Sequence, residues 1–347
     1  MLDDINVLKQ HDSLKDLELA ELECEQVNFE VVVNNGDHDN RVIDNIIVAG
    51  MGGSALAAAV AKSWLKSELK IPFEVLRTYD LPASVGQNSL VIASSYSGNT
   101  EETVSCLSQA KEKGAQIAVI ASGGELINQA TSSQILNITL PTGHQPRMVM
   151  VSMLRAIVAV LEHFSVMPSG KLDEISSSYD WIKLECSKWR GDVSVADNYA
   201  KQLALQTVGK TAVFFSGTFA YPAAYKWKTC FNETSKNLSF LCEFPEFNHN
   251  EMLGWTSHPV EKPFAVFDIV SDLEHPQILK RMEISDRLLS GKRPKTTQIN
   301  LAGDSAFKQL LWGCILADFV SIYLAVLNGA DPMEVRLIES LKKDLVA

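Results

Sequence analysis

Residues 45–140 alternate short apolar, β-rich runs with helical patterns, and this alternation limits the fold more than any other feature. Strands are predicted at 46–49, 73–77, 90–94, 117–121 and 135–140, and helices at 54–69, 101–113 and 147–164. Strand, helix and strand at this spacing require crossover connections, which give a parallel sheet. Such sheets hold ligands beyond the carboxyl ends of their strands. A second alternation follows. Its strands are predicted at 212–215, 238–242, 264–269 and 297–301, and its helices at 194–208, 220–231, 274–290, 304–327 and 332–345. The Pro, Gly and Ser residues of "SVMPSGKLDEISSSYD" (165–180) mark a linker. The expected organisation is therefore two doubly wound parallel-sheet α/β domains in tandem. The first covers 1–165 with a leading segment, and the second covers 180–347.

A chain of 347 residues accommodates two such domains. The formal net charge is −11 and no Lys/Arg run is present, which argues against nucleic acid or an anionic membrane as partner. Arg155 and Asp318 interrupt the two most apolar stretches, 148–161 and 310–327, so both read as buried helices. The N-terminus "MLDDINVLKQ" has acids where a signal peptide has basic residues. The cysteines at 24, 106, 186, 230, 242 and 314 never form C-x-x-C, and the histidines show no metal-ligand spacing. These features fit a cytoplasmic protein without structural zinc.

The stretch "SSYSGNTEET" (94–103) leaves a predicted strand and enters a predicted helix. A helix N-terminus offers unpaired N–H groups and a partial positive charge, which suits a phosphate. Ser95, Ser97 and Thr100 add hydroxyls, and Gly98 allows close backbone approach. Plain capping by Asn99 or Thr100 is the simpler alternative, but one cap needs one such residue and five small polar groups are present. A second small-residue turn, "GMGGSA" (50–55), loosely fits a dinucleotide fingerprint. Asp80 comes late for that purpose and Arg77 stands nearer the expected place, so a compact phosphorylated ligand suits both turns better than a nucleotide. The run 46–64 also resembles 212–228 in strand, turn and Ala-rich helix, as a duplicated unit would.

"GMGGS" followed by "SYSGNTEET" resembles the sugar isomerase (SIS) domain, an α/β unit that binds phosphosugars. "PTGHQPR" (141–147), "FNETSKN" (231–237), "PEFNHNE" (245–251) and "GADPMEVRLIESLKKDL" (329–345) resemble one branch of it, the bifunctional phosphoglucose/phosphomannose isomerases. The resemblance implies tandem SIS domains and metal-free, cofactor-free aldose–ketose isomerisation. It implies that Gly53, Ser54, Ser95, Ser97 and Thr100 hold the sugar phosphate and nearby hydroxyls. It also implies a catalytic set of Glu233, His249, Arg147 and a Lys of the last helix, taken as Lys342. Homodimers with shared active sites are expected, the His coming from the partner copy. A non-catalytic phosphosugar-binding regulator is the rival reading. It would keep the 95–100 turn and have no use for Glu233, His249 and Arg147 together. Glu233 suits proton transfer between adjacent carbons. Arg147 suits a developing oxyanion, and His249 suits ring opening near neutral pH.

Overall fold

The computed structural model describes residues 1–11, 15–256 and 263–346. The chain divides into two compact units, Glu23–Trp181 on its own and Met1–Leu22 together with Ile182–Ala347. The leading segment contributes helices α1 (Ile5–His11) and α2 (Asp16–Leu22).

The Glu23–Trp181 unit runs β1 (Val33–Asn34), β2 (Asn45–Ala49), α3 (Gly52–Trp64), β3 (Phe73–Leu76), β4 (Ser89–Ser94), α4 (Glu101–Glu112), β5 (Gln116–Ala121), α5 (Gly124–Ser132), β6 (Leu136–Thr139), α6 (Met150–His163) and α7 (Lys171–Ser176). Helix α8 (Tyr179–Ser187) runs across the boundary between the units. The six strands form one sheet in the order β1-β6-β5-β4-β2-β3. All pairings are parallel except the short edge strand β1, which runs antiparallel to β6. Every residue of β4 is buried, and β2 is buried at four of its five positions. Strands buried on both faces read as continuous apolar runs, which is why they are visible in the sequence.

The stretch expected to be a linker is instead structured. Arg155 of the buried helix α6 donates to the Phe29 carbonyl at 2.8 Å, the Leu172 carbonyl at 3.2 Å and the Ser176 hydroxyl at 2.8 Å. Lys171 pairs with Glu68 at 2.7 Å, and the Trp64 indole donates to Glu174 at 3.2 Å. A buried guanidinium needs such partners, and they make α7 part of this unit.

The second unit continues with α9 (Tyr199–Thr207), β7 (Thr211–Ser216), α10 (Tyr221–Glu233), β8 (Ser239–Glu243), β9 (Phe264–Val270), α11 (Pro276–Leu288), β10 (Thr297–Asn300), α12 (Ala306–Asn328) and α13 (Arg336–Val346). Its sheet is parallel throughout, in the order β10-β9-β7-β8. The order β5-β4-β2-β3 in the first unit has the same connectivity, as a repeated unit would. Helix α12 is apolar enough to cross a membrane, but its most apolar window is 94% buried, packed on α9 and α10.

Met1–Leu22 belongs to this unit rather than to the one it precedes. The Asp3 carboxylate accepts from the Val195 N–H at 2.7 Å and pairs with the buried Lys201 ammonium at 3.3 Å. Helix α2 packs on α12, and Leu8 lies against Gly191. Burial of Leu8, Leu17 and Ala20 is what joins these residues to the unit.

Candidate active site

The first small-residue turn leaves β2 at Gly50 and enters α3 at Gly52. A Cβ on Gly50 would stand 2.6 Å from the Ser94 carbonyl oxygen, so the turns after β2 and β4 are in contact. A Cβ on Gly53 would stand 2.6 Å from the Pro146 carbonyl oxygen and 3.7 Å from the Arg147 Cα. Glycine at both places lets three loops converge. Ser54 is buried beneath them.

The second turn does not cap its helix in the way its sequence allows. Thr100 stands at the N-cap of α4 and makes no side-chain cap bond. Its hydroxyl meets that of Ser95 at 2.7 Å. The Asn99 carboxamide oxygen accepts from the Glu125 N–H at 2.9 Å, at the start of α5. Helix α3 also lacks a side-chain cap. Two helix N-termini beside these turns thus lack a cap from their own N-cap side chains, an arrangement that suits an anion. Ser97 is exposed, and its hydroxyl accepts from the Asn99 N–H at 3.3 Å. Gly98 has φ +71°, and a Cβ there would run into the Gly123 carbonyl.

Arg147 is buried in a short 3₁₀ turn, Pro146–Met148, that leads into α6. Its guanidinium donates to Gln145 at 3.4 Å. Two residues that sequence motifs did not single out hold this turn. The Tyr96 hydroxyl donates to the Pro141 carbonyl at 2.9 Å and accepts from the His144 N–H at 3.0 Å. The Gln26 carboxamide donates to the Met148 carbonyl at 2.5 Å and accepts from the Ser152 N–H at 3.1 Å. Gly53, Ser54, Ser95, Ser97, Thr100 and Arg147 all lie in the Glu23–Trp181 unit.

Glu233, His249 and Lys342 belong to the other unit. Glu233 is half-buried and is the last residue of α10. On that helix, Lys226, Cys230 and Glu233 repeat at helical spacing along one face. The Lys226 ammonium pairs with Asp318 of α12 at 2.7 Å, both fully buried, and the Cys230 thiol donates to the same carboxylate at 3.3 Å. Burial, then the Asp318 charge, pushes the Cys230 thiol well up. Just past Glu233, the Ser235 hydroxyl donates to the Ser321 carbonyl at 2.9 Å. Helix α12 therefore fixes the end of α10 that carries Glu233.

His249 ends a 3₁₀ turn (Glu246–His249) and is exposed. The flanking Asn248 and Asn250 side chains bond within the turn and to α11. Asn248 donates to the Ser285 hydroxyl at 2.7 Å and accepts from Arg281 at 3.2 Å, and Asn250 donates to Glu246 at 2.6 Å. They fix the backbone of the turn, anchored by buried Phe247. Lys342 is exposed on α13 and pairs with Glu339 at 2.9 Å. The expected start of that helix at Pro332 is displaced to Arg336, because the Asp331 carboxylate accepts from the Met333 N–H at 2.8 Å and holds a turn there.

Residues 41–166 match the SIS domain, and residues 196–345 match the bacterial phospho-glucose isomerase C-terminal SIS domain. The chain is 35% identical over 309 residues to a bifunctional phosphoglucose/phosphomannose isomerase of Caldicellulosiruptor bescii, covering 87% of this chain and 90% of that protein. This chain belongs to the bifunctional phosphoglucose/phosphomannose isomerase family. A second relative of that name, from Aquifex aeolicus, is 30% identical and covers 86% of this chain and 90% of its own length. Among solved structures, the C-terminal domain of glucosamine-fructose-6-phosphate aminotransferase from Francisella tularensis shares the fold, with a TM-score of 0.70 at 14% identity, covering 93% of this chain and 98% of that one. The tandem SIS architecture expected from the sequence is thus present, and the isomerase family accounts for both halves of the chain.

Proposed function

We propose that this chain interconverts glucose 6-phosphate and mannose 6-phosphate with fructose 6-phosphate through a metal-free cis-enediolate. The observation that carries this reading is the Ser95–Thr100 hydroxyl pair beside two helix N-termini without side-chain caps. A sugar phosphate accepts from Ser54, Ser95, Ser97 and Thr100 and from the first N–H groups of α3 and α4, with Gly53 leaving room for it. Arg147, always protonated, stabilises charge on O1 and O2 as the C2 proton leaves. Glu233 takes that proton and returns it to C1; a carboxylate does both without relocating. His249 moves the proton that opens the ring, and Lys342 holds O5 or the phosphate. Rotation about the C1–C2 bond of the enediolate lets either face of C2 be reprotonated, which gives both epimers.

The active unit is a homodimer in which His249 is supplied by the partner copy. Its exposed position and the exposed apolar residues Leu337, Ile338, Leu341 and Leu345 on α13 support that reading. The cytoplasm is its compartment, in keeping with six buried, unbridged cysteines.

The test is incubation with fructose 6-phosphate in D₂O containing EDTA, following the C1 and C2 protons by NMR. Solvent exchange at C1 and formation of both aldose phosphates are expected. Glu233→Gln is expected to bind the sugar as before while turnover falls about 10²–10⁴-fold. Binding without exchange leaves the non-catalytic regulator, and unaltered turnover in the Glu233 variant removes the base assignment.

A further inference from the structure

The two units share one strand order, so their loops correspond. The turn after β2 corresponds to residues 217–220 after β7, and the turn after β4 corresponds to residues 271–275 after β9. In the first unit these turns touch at Gly50 and Ser94, and neither following helix has a side-chain cap. In the second unit they meet differently. Glu274 reaches from the loop after β9 to the turn after β7, where its carboxylate lies directly on Gly217 in the space a Cβ would need. Its Oε1 accepts from the Ala220 N–H, at the N-cap of α10, at 2.9 Å. Glu274 is 4% exposed.

We propose that Glu274 is a resident anion that occupies the second unit's counterpart of the phosphate-binding turns, so that unit takes no phosphosugar of its own. Three further observations fit this assignment. His275 caps α11 through its ring nitrogen, which accepts from the Gln277 N–H at 3.1 Å, whereas Thr100 leaves α4 uncapped. The Ser271 hydroxyl, placed near a phosphate by the correspondence, is turned to buried Gln309 at 2.6 Å. Burial, and then the negative charge of Glu274, raises the proton affinity of Glu243 at the end of β8, as a carboxylate anion held in this crevice would. Ordinary helix capping explains the bond to Ala220. It does not explain why a carboxylate from the corresponding loop replaces the Cβ volume of Gly217.

The inference predicts a latent site for a phosphate dianion. Equilibrium dialysis of the full chain against radiolabelled inorganic phosphate measures it, for wild type, Glu274→Ala and Glu274→Ser. The serine variant keeps a short polar side chain in the buried crevice and guards against a variant that does not fold. At saturation, each folded variant is expected to hold one more phosphate per chain than wild type. Folded variants that match wild type would overturn the proposal and leave Glu274 as a cap. Wild type that already holds a phosphate lost on adding Gly217→Ala would overturn it as well. The readout is the difference between variant and wild type, so it stands apart from whether the first unit's turns hold the substrate phosphate.

Discussion

The hydroxyls of Ser95 and Thr100 lie 2.7 Å apart, and neither is used to cap the helix that follows them. The Ser95 hydroxyl also accepts from the Gly98 N–H at 3.2 Å, and in the proposed site both hydroxyls donate to the phosphate. Removing one of them takes away a hydrogen bond to a charged group, worth about 1.5–3 kcal/mol. Thr100→Val is therefore expected to raise the KM for fructose 6-phosphate by roughly ten- to a hundredfold, with a smaller change in kcat. Steady-state kinetics decide it; a KM within twofold of wild type would take Thr100 out of the site.

Gly53 and Gly98 are expected to fail in different ways. Gly98→Ala combines φ +71° with a Cβ against the Gly123 carbonyl, so it should destabilise the fold by roughly 2–4 kcal/mol. Gly53→Ala lacks the left-handed strain, and pushes instead on the Pro146 carbonyl and the turn that carries Arg147. It should cost kcat more than stability. Urea unfolding with parallel kinetics separates the two, and equal losses in both assays would refute the distinction.

Breaking the buried Lys226–Asp318 pair leaves one charge without its partner. Lys226→Met alone is expected to cost about 3–5 kcal/mol, while Lys226→Met with Asp318→Leu returns most of it. The Cys230 thiol loses its acceptor in the double variant, a smaller penalty. Denaturant midpoints test this. A double variant as unstable as the single one would show that the pair itself stabilises the helices.

Asp268 lies 1% exposed in β9, and burial raises its carboxyl to about 7 despite nearby Arg293. A carboxyl that titrates higher when folded favours the native state below its unfolded value near 4. That contribution falls as the pH rises toward 7 and is gone above it. Asp268→Asn should remove this slope, so its unfolding free energy should change less between pH 5 and pH 8 than that of wild type. Parallel urea curves across that range would contradict the assignment.

Much of the fold is legible because its strands are sheathed on both faces, so β2 and β4 stand out as apolar runs. Helix α5 is not legible, since only Leu126 and Ala130 of its nine residues are buried and the rest reads as a polar loop. The phosphate turns show in the sequence because small polar residues cluster where a strand meets a helix. Tyr96, Gln26 and Glu274 do not show, because each works on backbone groups far away in the chain. The membership of Met1–Leu22 in the later unit is equally hidden, being decided by where Leu8, Leu17 and Asp3 find partners.

That membership orders events on the ribosome. Synthesis runs from the N-terminus and domains generally fold as units. Glu23–Trp181 has its whole sheet once its own segment has emerged. Met1–Leu22 is translated ahead of that unit and yet cannot settle until α12 has been made. A clip or tag at residue 22 should thus spare the neighbour in sequence and loosen the distant half.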